Sequence, residues 1–367
     1  MVEGVARRLE PLLTRLLGDP LPVQVRAWDG SVIGTSGTPV FVVRDRRALR
    51  RLLWKPGEAG LVRAYVAGEL DIEGDVCAAL SALQRVLARE DESIRLSGDD
   101  KREIVRTAVM LGAVGPEPKP PPEEHGRGLL EETPEEFYAR MVGESRALGT
   151  GAWGGAATLE EAQRADEREL AARLALKPGD SVLELNAGWA LFSARLAQEY
   201  GASMTAVTAF DVAPPPGVRV LPAEPGPQEE GTYDLVVALA GVLPLHRVVN
   251  RVAALLRPGG RLVVRQPVHR RDVVQRPFTS DYVFGPDDEL PALGAFVETL
   301  DAAGLEVRQA TARREDYART LRAWATSLQR TPPADGRARI WLLHLATTAL
   351  AAETGRIGLY ELDAVLR

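Results

Sequence analysis

Residues 181–201 read SVLEL, then NAGWA, then LFSARLAQEYG. A buried-strand run, a turn carrying one glycine and an amphipathic helix follow each other without a break. This order constrains the chain more than any other feature. The turn lets backbone approach a ligand, and the helix N-terminus offers N–H groups that no earlier turn of helix uses. Downstream, strand-like runs such as LVVALA at 235–240 and RLVVR at 261–265 alternate with helical ones, which is the pattern of a doubly wound α/β domain with a mostly parallel sheet.

The N-terminal third differs. VQVRAWDGSVIGT and TPVFVVRD within 22–45 are short alternating pieces punctuated by Asp29-Gly30 and Gly37, so a small sheet is expected. Leu49, Leu52 and Leu53, then Leu61, Val62, Tyr65 and Val66, recur at helical spacing on either side of Lys55-Pro56-Gly57. The stretch GPEPKPPP at 115–122 favours extended polyproline II. The expected organisation is an α+β domain over 1–115, a proline-rich linker over 116–135 and the α/β domain over 136–367. A helix is expected from Thr158, with Glu161 completing a capping box.

Composition narrows the function. Forty-five Lys and Arg against 51 Asp and Glu leave a formal charge of −6, so no global positive field favours nucleic acid. Cys77 stands alone, and His125, His246, His269 and His344 have no ligand spacing, so neither a disulfide framework nor a metal site is expected. No run approaches eighteen apolar residues. A cytoplasmic protein is expected, peripheral to the inner face of the membrane. Residues 45–55 carry four arginines, a lysine and Trp54, a mixture suited to an anionic bilayer surface or to a solvated helix face.

YDLVV at 233–237 followed by LLRPGGRLVV at 255–264 resembles the fourth and fifth strands of class I S-adenosylmethionine-dependent methyltransferases. AWDGS at 27–31, the run 47–75, ATLEEAQ at 157–163, VFGPDDELP at 283–291, DYARTLRAW at 316–324 and the run 339–359 are similar to the cyclopropane-fatty-acyl-phospholipid synthase family. The resemblance implies a Rossmann-like methyltransferase domain behind a small α+β domain. It also implies methylene transfer from S-adenosylmethionine to a cis double bond of a phospholipid acyl chain.

The same resemblance shows departures where that chemistry sits. LDxGCGWG reads LELNAGWA, which retains Glu184, Gly188 and Trp189 as cofactor-side residues but places Asn186 and Ala190 where glycines stand. YSCAYW reads LGTGAW, so Thr150 takes the cysteine's position. Only Phe137-Tyr138 remains of HYDxxN-FY. The segment after the second strand, 209–217, is too short and proline-rich for the family's TLSxEQ helix. DYRD leaves Glu224 alone as an adenine-side acid, Leu243 stands for the glutamate of FEHVG, and Arg265 stands for a histidine. Tyr317 of DYARTL is the one retained residue of the family's bicarbonate site.

Methyl transfer to an alkene needs alignment, stabilisation of a developing cation and removal of a proton. Positioning supplies roughly 7–11 kcal/mol of the barrier, provided the cofactor is held. Two readings follow. One is a synthase relative in which S-adenosylmethionine binding is weak or lost, serving through an acyl lipid, a membrane surface, a second copy or an active paralogue. The other is an active methyltransferase or altered-chemistry enzyme on unsaturated acyl chains. Plain packing competes with function at Tyr317, which shares a helical face with Leu321, Trp324 and Leu328, and at Gly188 and Trp189. A dinucleotide dehydrogenase would want G-x-G-x-x-G, which NAGWALFS does not supply.

Overall fold

The structure is a computed structural model that describes residues 4–55, 57–87, 98–124, 129, 133–222, 229–239, 245–270, 278–284, 290–330 and 335–367. The chain forms two units, one of 1–133 with 276–287 and 328–350, the other of 134–275, 288–327 and 351–367.

The first unit opens with α1 (Val5–Leu17), whose N-terminus has no cap of its own. The AWDGS turn supplies one: the Val5 N–H donates to Asp29 Oδ2 at 2.8 Å and the Ala6 N–H to Ser31 Oγ at 2.8 Å. Strands β1 (Gln24–Arg26), β2 (Val32–Ile33) and β3 (Val40–Val43) are followed by α2 (Arg47–Trp54), α3 (Glu58–Val66) and β4 (Leu70–Glu73). The sheet order is β2-β1-β3-β4, and Val23, Val25, Phe41, Val43 and Leu70 bury one face of it. Helices α4 (Val76–Leu87) and α5 (Gly98–Met110) complete this part of the chain.

One expectation changes here, that of a solvated arginine face. Residues 115–122 hold no helix or strand, and α2 is bonded to them. Arg51 reaches the Lys119 carbonyl at 2.7 Å, and Trp54 Nε1 donates to the Gly115 carbonyl at 3.0 Å. Arg51 is itself only 8% exposed and forks onto Glu69 at 2.7 and 3.1 Å. It is therefore a buried structural cation and not part of a solvated arginine face, which leaves Arg47 as the exposed basic residue of this helix, with exposed Arg46 and Lys55 at its two ends.

In the second unit α6 (Glu135–Val142) and α7 (Leu159–Leu174) precede β5 (Ser181–Leu185), α8 (Leu191–Tyr200), β6 (Ser203–Val207), β7 (Val218–Leu221) and β8 (Tyr233–Ala238). Then come α9 (Leu245–Leu255) and β9 (Leu256–His269); α10 (Phe278–Phe284) lies in the first unit. The chain ends with α11 (Leu293–Ala302), β10 (Leu305–Ala312), α12 (Arg314–Gln329), α13 (Gly336–Glu353), which up to Leu350 lies in the first unit, and β11 (Ile357–Leu366). The expected capping box is present, Thr158 accepting from the Glu161 N–H while Glu161 accepts from the Thr158 N–H.

The seven strands run β10-β11-β9-β8-β5-β6-β7, parallel except that β11 is antiparallel to both neighbours. Alternation decides the layers: Leu183, Leu185, Val236 and Leu262 point into one core with Phe296 and Leu300 of α11, while Val182, Leu235 and Val263 point into another with Leu170 of α7 and Leu196 of α8. Residues 209–217 contain no helix, as their length and prolines require, and β6 passes directly to the edge strand β7.

Candidate active site

Strand order reverses between β5 and β8, so the ligand crevice of an open α/β sheet falls at the C-terminal end of β5. The turn there is held open by backbone geometry. Asn186, Gly188 and Ala190 have φ of 54°, 54° and 55°, the left-handed region that suits glycine and is tolerated by asparagine but strains alanine. The Ala187 N–H donates to the Val207 carbonyl at 2.9 Å, and Thr208 Oγ1 donates to the Gly188 carbonyl at 2.7 Å. The turn is thereby tied to β6, and its backbone follows the glycine-turn path although two glycine positions carry side chains.

The face of that turn is filled. A Cβ placed on Gly188 would lie 2.8 Å from Leu148 Cδ1 and 3.8 Å from Phe210 Cε2. Phe210 packs on Trp189 with centroids 4.8 Å apart and on Tyr138 at 5.6 Å, and the Arg146 guanidinium sits 5.1 Å from the Trp189 ring centre. Trp189 Nε1 donates to Glu135. A ligand lying over Gly188 would have to displace Leu148. That segment is fastened: the Gln163 side-chain amide donates to the Ala147 carbonyl at 2.7 Å and, more weakly, to that of Gly149 at 3.3 Å, while Ser145 Oγ donates to Gln163 Oε1 at 2.5 Å.

Glu184 lies below the turn, buried, and accepts the Ser193 hydroxyl of α8 at 2.5 Å. Burial pushes its carboxyl up to about 7, against the Ser193 hydrogen bond, which pulls it down. The acid, on β5, is engaged with α8.

Thr150 is buried with Oγ1 3.1 Å from Thr320 Oγ1. Thr320 already accepts from the Gly151 N–H and from Trp153 Nε1, each at 3.0 Å, so both its lone pairs are committed. Its one proton is shared between Thr150 and the Asp316 carbonyl at 2.8 Å. Thr150 therefore braces α12. Tyr317, one turn earlier on α12, packs half-buried against Ala318, Ala351, Ala352 and Ile357, and burial pushes its phenol pKa up. Glu224 and Leu243 lie outside the described residues.

Among the described residues Arg265 is the most buried arginine, 2% exposed. It forks onto Asp166 at 2.6 and 2.9 Å and reaches Glu361 at 2.7 and 2.8 Å; Arg313 adds a 2.8 Å bond to Asp166 and Arg173 a 2.5 Å pair to Glu361. Burial works against the charge of Arg265, but its two carboxylate partners outweigh it and hold its pKa up. No donor of this guanidinium faces a ligand. Among the described residues no group of three or more His, Cys, Asp and Glu is placed to hold a metal, and no helix is long and apolar enough to cross a membrane.

The profile of the mycolic acid cyclopropane synthetase family matches residues 132–211 and 236–360, more than half of the chain. The chain belongs to that family. Probable fatty acid methyltransferases of Pseudomonas putida and Mycobacterium tuberculosis are 26% and 27% identical, over 94% and 93% of this chain and 92% and 90% of the relatives. The mycolic acid cyclopropane synthase CmaA1, solved in complex with SAH and CTAB, superposes with a TM-score of 0.56 at 17% identity, over 66% of this chain and 98% of that one. The sheet is thus that of class I methyltransferases, and the family modifies lipids as cyclopropane synthases and fatty acid methyltransferases do. The two stretches matched by the cyclopropane synthetase profile leave out 212–235, which holds most of the shortened segment after β6.

Of the expected site residues the structure gathers Glu184, Asn186, Gly188 and Trp189 at one turn and sets Thr150 and Tyr317 on α12 contacts. Leu148, Arg146 and Phe210 were not expected at the turn. Their place comes from the loop before α7 folding back over it, and no periodicity in the sequence reports that. Asp166 and Glu361 did leave a signal, as acids inside the mostly apolar buried faces of α7, which also holds Gln163, and β11.

Proposed function

We propose that this chain is a member of the cyclopropane synthetase family that engages fatty acyl lipid, with S-adenosylmethionine binding and methylene transfer weak or lost. The observation that carries this reading is the occupied face of Gly188, supported by Glu184 being turned to Ser193 and Arg265 being saturated by Asp166 and Glu361. The acyl substrate class rests on the relatives, named as fatty acid methyltransferases and a cyclopropane synthase. Such a member acts through the lipid it binds at a membrane surface, through a second copy or through an active relative.

A second reading, an active fatty acid methyltransferase, is favoured by alignment over nearly the whole chain and by the acid retained at Glu184. Purified protein incubated with unsaturated phospholipid vesicles and methyl-labelled S-adenosylmethionine decides between them. Co-sedimentation with vesicles and no labelled one-carbon gain on the acyl chains is expected. Label in the acyl chain would replace this proposal by the second.

A further inference from the structure

The segment running from Gly143 to Thr150 does more than cover the turn: it presents to it the kinds of groups a ligand would. Leu148 puts an apolar carbon on the side-chain face of Gly188, and Arg146 puts a cation over the Trp189 indole. Arg146 does so from a left-handed backbone, φ 52°, a conformation that persists only where surrounding contacts hold it. The contacts are those of Gln163, 1% exposed, whose amide grips the carbonyls on both sides of Leu148 and whose oxygen takes the Ser145 hydroxyl. Glycines with freedom to bend flank the piece, Gly143 at φ 78° and Gly149.

We infer that residues 143–150 are an internal plug of the ligand turn, latched by Gln163, with Leu148 and Arg146 standing where a nucleoside-bearing cationic cofactor would pack. This rests on the reading above that cofactor binding is weak. A closed plug lowers apparent affinity by the fraction of molecules that are open, so loosening it recovers affinity without adding a contact.

The test is calorimetric titration of the full-length protein with S-adenosylhomocysteine, as wild type, Leu148→Ala and Gln163→Ala, with near-ultraviolet circular dichroism to verify folding. Each folded variant is expected to bind at least about tenfold more tightly than wild type. Weak binding by wild type and by both folded variants alike overturns the plug and leaves the proposed function standing. Tight binding by wild type overturns both. Should Leu148→Ala fail to fold, Gln163→Ala, which touches only the latch, decides the matter.

Discussion

At the turn after β5, Asn186 and Ala190 hold left-handed backbone conformations at φ 54° and 55° that ordinary side chains resist, and Leu148 and Phe210 crowd the one remaining glycine. On β9, a few residues into the neighbouring part of the sheet, Arg265 meets an oxygen with every arm, and Asp166 and Glu361 are each shared with a second arginine. The first region keeps a backbone shaped for a ligand at a cost in strain. In the second, every charge is paired with an opposite one. A strained turn with a covered glycine face stands against a closed ionic core.

The largest effect is expected at the saturated end. Arg265→Met leaves two buried carboxylates short of a partner, and removing one member of a buried ion pair costs about 3–5 kcal/mol. Urea unfolding should show that loss as a lower midpoint; a change within 1 kcal/mol, roughly the worth of an exposed pair, would show that the cluster is not the closed core described.

Glu184 sits between the two extremes, a buried acid with a single hydroxyl partner. Its carboxyl is pushed by burial from 4.5 to about 7, so the folded state keeps a proton that the unfolded chain has released within that window. Folding stability is then fully present below the window and falls as pH rises through it. Glu184→Gln keeps an acceptor for Ser193 and should flatten this slope, gaining up to about 3 kcal/mol at alkaline pH. Parallel stability profiles of mutant and wild type against pH would remove Glu184 from the account.

The smallest effects separate strain from crowding. Gly188→Ala adds a methyl 2.8 Å from Leu148 to a left-handed residue and should cost about 2 kcal/mol, chiefly the ~1–2 kcal/mol of that backbone conformation. Ala190→Gly relieves the same ~1–2 kcal/mol but loses a buried methyl worth ~0.8 kcal/mol and gains chain entropy in the unfolded state worth ~0.5–1 kcal/mol, so thermal unfolding should move by less than about 1 kcal/mol. Equal effects at the two positions would mean that the face of the turn is not occupied.

Much of this was legible before any coordinates. The doubly wound sheet followed from alternation of short apolar runs with helical ones, and the missing helix at 209–217 from Pro214, Pro215 and Pro216. Glycine positions replaced by Asn186 and Ala190 announced a changed turn. What could not be read was where loops lie. Leu148 is one apolar residue in an irregular stretch, and its position over Gly188 depends on the Gln163 hydrogen bonds made across the sequence. Arg51 looked like one more surface arginine because its partner Glu69 belongs to another element, and burial of a long side chain leaves no periodic trace.

Binding of S-adenosylmethionine at the turn separates a covered site from an open one. Isothermal calorimetry of the wild-type protein with S-adenosylmethionine measures that directly. A dissociation constant weaker than about 100 μM is predicted; one of about 10 μM or tighter, close to −7 kcal/mol of binding free energy, would contradict it.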